Sequence, residues 1–283
     1  MAIISTRARG RAARAVLAAA VLAPLALLGT PAVAAGGSSG SDGSARTAAS
    51  AGSGSATDTT AAGSAGSAAR PARGTAARPA TTPVSIARTA TGKDRSVAIT
   101  IDDGPDPVWT PKVLDVLDRN HVKATFCMIG TNAQKYPDLV REVAARGHRL
   151  CNHSVGHDTS MDHKPVAYQE REILGGKEMI EKAVPGVRVG YYRAPGGAFT
   201  PESRKIAAAH GMRPLGWTVD PKDWSRPGVP SIVEAVEHPL VRPTVLFHDG
   251  GGDRSETVAA LEQVLPWFAG QGYAFTFPTR DTD

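Results

Sequence analysis

The chain has 283 residues, of which 41% are hydrophobic and 21% charged, with a formal net charge of +5. Nine Arg against two Asp fall before residue 93, giving +7, while 23 Lys plus Arg against 25 Asp plus Glu follow, giving −2. The basic balance therefore belongs to the first third, and the acidic remainder carries no electrostatic footprint for a nucleic-acid partner.

Residues 1–35 have the layout of a secretory signal peptide. Arg7, Arg9, Arg11 and Arg14 precede an apolar run over 15–28, and Ala32-Val33-Ala34 supplies small residues for cleavage. The run is shorter than the ~20 residues a membrane span needs, so no stable span is expected after cleavage. Residues 36–92 are rich in Gly, Ser, Ala, Thr and Pro. Such a segment cannot bury enough surface to offset its ordering entropy, and it reads as a flexible linker. Gly36-Gly37-Ser38-Ser39-Gly40 formally matches a serine-hydrolase elbow, but no strand precedes it and no helix follows.

The folded part, 93–283, alternates apolar strands with helical patterns. Strands are expected over 96–101, 123–130, 148–154, 189–194, 212–220, 244–248 and 273–277. Helices are expected over 110–120, 137–146, 165–183, 201–210, 231–238 and 255–271. Seven βα-type units imply a parallel sheet with helices outside, one unit short of the eight-fold barrel. The expected fold is α/β: an incomplete, distorted (β/α)7 barrel. Cys127 and Cys151 fall in successive strands, close enough for a disulfide if register permits. Two buried thiols are the alternative.

Ligands in such folds sit at the carboxyl ends of the strands. Asp102 and Asp103 end the first strand, His153 the third, Arg193 the fourth, Asp220 the fifth and His248 the sixth. An isolated Asp-Asp-Gly-Pro is usually a turn and a lone His-x-x-x-His is usually incidental. Five strands aiming polar groups at one rim are not. His153 and His157 with a carboxylate make a three-ligand set that leaves positions open, which marks a catalytic metal site. Nitrogen and oxygen donors without thiolate suit Zn²⁺, with Co²⁺ or Ni²⁺ as alternatives. Asp102 is the expected base and His248 the expected acid. Arg193 offers planar donors to clamp a carboxylate. The segment from Asp220 to Trp224 supplies a carboxylate to tune the histidine and an indole to wall a small apolar pocket.

These residues resemble the five motifs of the polysaccharide deacetylases, carbohydrate esterase family 4 or NodB-homology domains, in order over about 93–278. The resemblance implies Asp102 as base, with Asp103, His153 and His157 as metal ligands. It further implies that Arg193 steadies the base, that the Gly196 amide holds the oxyanion, and that Asp223 tunes His248. Trp224 and Leu246 would receive the acetyl methyl. Ile101 stands where the family usually has Phe, and Gly196 where many members have an aromatic. The second departure removes a sugar-stacking wall and leaves chitin oligomers, peptidoglycan and acetylxylan open as substrates. The expected protein is a secreted monomeric deacetylase of a carbohydrate polymer, with wall association open. A non-catalytic glycan-binding scaffold and a metal-dependent amidase of peptidic wall bonds are the rivals.

Overall fold

The structure is a computed structural model that describes residues 81–280 except Pro239. The expected signal peptide and most of the expected linker lie outside the described residues.

The central strand β1 (Ser96–Asp102) is buried along its whole length. That is why Val97, Ala98, Ile99 and Ile101 read as one apolar run, as strands covered on both faces do. It is followed by α1 (Trp109–Arg119), β2 (Thr125–Met128), α2 (Gly130–Lys135), α3 (Pro137–Ala145) and β3 (Arg149–Asn152). Next come α4 (Val166–Ala183), β4 (Val189–Tyr192), α5 (Pro201–Ala209) and β5 (Arg213–Pro214). The chain ends with α6 (Val229–Val236), β6 (Thr244–His248), α7 (Ser255–Gly270) and β7 (Ala274–Thr276). All seven strands are parallel, in the order β5-β4-β3-β2-β1-β6. Ala98 pairs with Thr244 of β6 on one side and Thr276 of β7 on the other. β7 therefore shares an edge of β1 with β2, which takes the other half at Thr100–Asp102.

The helices bury one stripe each. In α1 the buried positions are Thr110, Val113, Leu114, Val116 and Leu117, a 3–4 spacing. In α7 they include Ala260, Leu261, Val264, Leu265 and Phe268. Each fully buried Val, Leu or Phe side chain contributes about 1.5–3 kcal/mol. α5 starts with a capping box, in which Thr200 and Ser203 each accept the other's backbone N–H. Among the described residues no helix is long and apolar enough to cross a membrane.

Three local expectations differ from the structure. The strand over 212–220 is broken, because Pro214 has no N–H to continue a ladder. Leu215 pairs with Tyr192, whereas Val219 bridges to Val245 of β6. That bridge brings the two edges of the curled sheet together and leaves the barrel irregular there. The strand expected to run to Gly130 stops at Met128, and 130–135 form the short helix α2. The linker expected through residue 92 ends earlier. Ala87 bridges Leu215, Thr89 bridges Pro243 and Ala90 bridges Pro278, so this segment fills the gap between the broken strand and β6. Nothing in the composition of this segment marks it as structured.

Cys127 and Cys151 are register partners on β2 and β3, and they form a disulfide. Both face the barrel interior with Tyr191 and Leu215.

Candidate active site

The carboxyl ends of β1, β3, β4 and β6 meet around a cavity of about 420 Å³. Asp102 closes β1, and Asp103 follows it at φ 76°, a left-handed conformation that Asp tolerates better than most residues. The turn is held by close backbone packing. A Cβ on Gly104 would lie 2.3 Å from Asp249 Oδ1, and one on Gly250 would lie 2.3 Å from the Asp103 carbonyl oxygen. Only glycine fits either position.

Asp102 is buried and tied to Arg193. Arg193 Nη1 donates to Asp102 Oδ1 at 2.5 Å and Nη2 to Thr100 Oγ1 at 3.0 Å. Two further donors reach the carbonyls of Leu215 and Gly216, both at 3.1 Å. Four of the five N–H groups of this fully buried guanidinium are thus paired, as its burial demands. Burial pushes the Asp102 carboxyl above its ordinary value, with the Arg193 charge pulling the other way.

His153 and His157 approach from the loop after β3. Ser154 at φ 68° and His157 at φ 59° turn the backbone back on itself, and Ser154 Oγ accepts the His157 N–H. The rings come to 4.8 Å between centroids. His153 Nδ1 lies 2.8 Å from the Arg193 carbonyl oxygen. A carbonyl can only accept, so Nδ1 carries the proton and Nε2 presents a lone pair. Burial pushes the pKa of His153 down to about 3 against the pull of Asp103, which keeps the ring neutral. That lone pair faces Asp102 Oδ2 at 3.5 Å and Asp103 Oδ1 at 3.6 Å, while His157 Nε2 lies 3.4 Å from Asp103 Oδ1.

Acceptors aimed at acceptors repel unless a cation lies between them. Asp103 Oδ1 is also buried with no hydrogen-bond partner. The donor atoms of Asp103, His153 and His157 all lie within 4.8 Å of one another. Two nitrogens and one oxygen at this spacing fit a divalent ion such as Zn²⁺.

His248 closes β6, where it is the register partner of Asp102 and lines the same cavity. Its Nδ1 bonds Asp223 Oδ1 at 2.8 Å, so that nitrogen donates. Asp223 Oδ2 accepts from the His248 backbone N–H at 2.9 Å and from Thr257 Oγ1 at 2.8 Å. Burial alone would lower the His248 pKa, but the Asp223 carboxylate outweighs it and the net shift is upward. Asp220, the other carboxylate of that segment, lines the cavity without contacting His248 and accepts the Lys222 N–H. Gly196, at φ 61°, and Leu246 line the cavity as well. Trp224 is 52% exposed at the rim, which excludes a core role for its indole.

Several supporting residues escaped the sequence reading. Thr100 sits inside an apolar strand yet accepts from Arg193 and donates to the Val245 carbonyl. Asp249 is fully buried beneath the Asp103 turn, where it accepts from Thr110 Oγ1 at 2.6 Å and its N–H donates to the Asp102 carbonyl. Burial pushes its pKa up to about 7, with Asp103 and Asp102 adding to the rise. Arg254 donates to the carbonyls of Gly250 and Trp224 and so splints two walls of the cavity together. A carboxylate directly after a strand-end histidine was the available signal for Asp249. Arg254 had none.

Residues 89–215 match the family model described as polysaccharide deacetylase. A peptidoglycan-N-acetylglucosamine deacetylase of Bacillus cereus is 43% identical over 188 residues, covering 64% of this chain and 85% of that protein. A chitooligosaccharide deacetylase of Sinorhizobium fredii is 38% identical, covering 67% of this chain and 92% of that protein. Among solved structures, a family 4 carbohydrate esterase from Streptomyces lividans in complex with acetate superposes with a TM-score of 0.60 at 28% identity, covering 68% of this chain and all of that one. On these likenesses, the chain belongs to the polysaccharide deacetylase family, carbohydrate esterase family 4.

Proposed function

We propose that this protein hydrolyses the N-acetyl groups of N-acetylglucosamine-containing glycans, chitooligosaccharides or peptidoglycan strands, in a metal-dependent reaction. The observation that carries this reading is the convergence of Asp103, His153 and His157 on one point, with Asp102 and His248, register partners at the ends of β1 and β6, lining the same cavity. Asp103, His153 and His157 would hold the ion, Zn²⁺ first and Co²⁺ or Ni²⁺ as alternatives. When bound, such an ion polarises the acetyl carbonyl and acidifies water.

The chain's own residues supply the rest. Arg193 occupies Asp102 Oδ1, which leaves Oδ2 as the oxygen nearer His153 and free to take a proton from the attacking water. The Gly196 N–H donates to the oxygen on which negative charge develops. His248, kept protonated by Asp223, gives its proton to the leaving nitrogen as the C–N bond breaks. Water is consumed, and acetate and a free amine are released. Leu246 and Trp224 wall the space for the methyl group.

The test is acetate release from N-acetylchitooligosaccharides and from peptidoglycan, before and after chelation. Activity should vanish on metal removal and return with Zn²⁺; full activity after exhaustive chelation excludes the metal reading. Release from acetylxylan alone would turn the assignment to ester hydrolysis, and no release from any glycan would favour a non-catalytic scaffold. A loss of 42 Da per acetyl (about one C₂H₂O unit) with the polymer intact separates deacetylation from amidase cleavage. Secretion follows in this reading from the leader over 1–35, and N-terminal sequencing of the exported protein near Ala34 tests it.

A further inference from the structure

A second cleft, of about 490 Å³, opens at the opposite end of the barrel, where the strands begin. Arg149 starts β3, Arg188 precedes β4 and Arg280 follows β7; all three line it with Gly190, Tyr191 and Thr279. No Asp or Glu lines it among the described residues. The two guanidinium groups whose contacts are defined have neutral partners. Arg149 Nη1 donates to the Tyr191 hydroxyl at 2.8 Å and stacks 4.0 Å from the Phe277 ring, and Arg280 Nη2 reaches the Gly211 carbonyl at 3.4 Å. Among the described residues neither is paired with a carboxylate. Thr279 Oγ1 is buried in the same wall with no hydrogen-bond partner. Residues 93–283 carry a formal charge of −2 from 23 Lys plus Arg and 25 Asp plus Glu. Three arginines gathered in one cleft of an acidic domain make a local field opposite to its surroundings, and planar guanidinium donors match oxyanions.

We propose that this cleft binds the oxyanion groups of an anionic polymer, phosphate or carboxylate, on the face opposite the catalytic rim. A polymer held there leaves the active site open to a glycan, so binding and turnover are separable.

The experiment is calorimetric titration of the full chain with sodium tripolyphosphate and, in a second arm, with poly-glutamate, at fixed ionic strength. The variants are Arg188→Gln/Arg280→Gln and, separately, Asp103→Ala. Arg149 is left in place because it bonds Tyr191. The double variant should bind at least tenfold more weakly, melt at the parental temperature and release acetate from neutral chitooligosaccharides at the parental rate. Asp103→Ala should bind as the parent does, which separates the cleft from the catalytic site whether or not the deacetylase reading holds. The arm that binds assigns phosphate or carboxylate. Absence of binding in both arms, parental affinity in the double variant, or loss of binding in Asp103→Ala would overturn the proposal. So would binding that arises only after deletion of residues 281–283, since the chain's own Asp281 and Asp283 would then be the occupants.

Discussion

Arg193→Ala removes one half of a fully buried ion pair and strands what remains. Asp102 Oδ1 loses a 2.5 Å donor, and Thr100 Oγ1 and the carbonyls of Leu215 and Gly216 lose theirs. Breaking a buried pair by deleting one partner costs about 3–5 kcal/mol. For a domain of this size each kcal/mol moves Tm by about 2–4 °C, so a fall of roughly 6–20 °C is expected by circular dichroism. The cost should depend on pH. Burial already raises the Asp102 pKa and Arg193 pulls it down, so the variant's Asp102 should titrate higher still. At pH values below that pKa the carboxyl is neutral and needs no partner, so the destabilisation shrinks on acidification and grows as pH rises. Adding Asp102→Asn to the variant removes the orphaned charge and should recover part of the loss, most of it at high pH. A single variant that melts within about 2 °C of the parent, or a penalty independent of pH, would refute the argument that this pair holds the base.

Three further outcomes follow from the geometry. Asp102→Asn keeps Asp103, His153 and His157 intact, so metal content should be unchanged while acetate release falls at least about 10²-fold, as for loss of a general base; release at the parental rate would sink the assignment. Replacing Cys127 and Cys151 by Ser opens a loop 24 residues long, a separation worth about 3 kcal/mol in the chain-entropy account, read as a lower denaturant midpoint. His148 accepts the Ala124 N–H at 3.0 Å, and burial pushes its pKa down to about 4 from 6.5. The unfolded chain therefore takes the proton first, and stability is lost as pH falls from about 6.5 toward 4, by about 3 kcal/mol in all. His148→Gln should flatten that slope, and an unchanged slope would show that another group carries it.

Most of the candidate site was legible because two independent regularities coincide in it. The continuous apolar runs locate the strands, and the rule that ligands gather at their carboxyl ends converts strand ends into a rim. Asp102, Asp103, His153, Arg193 and His248 all fall at such ends; the structure gathers four of them around one cavity and buries Arg193 behind Asp102. The disulfide was undecided for want of register, which only the β2–β3 pairing supplies. The broken fifth strand, the segment through Ala87 and Ala90 and the splint made by Arg254 were invisible for the same reason. Their conformations are set by partners more than 100 residues away in several cases, such as Ala87 against Leu215 and Thr89 against Pro243, and no local pattern records those. Thr100 was hidden differently: a hydroxyl in an apolar strand looks like tolerated noise until the guanidinium above it is seen.

The end of β4 has a consequence for how this enzyme can change. Residue 193 grips Asp102 with its side chain and orients the His153 ring with its main-chain carbonyl. One residue thus positions both Asp102 and the His153 imidazole, the proposed base and a proposed metal ligand, so any shift of it moves the two together. Adaptation to a new glycan has freer ground in the outer wall at Asp220 and Trp224, where a side chain can be exchanged without disturbing either setting.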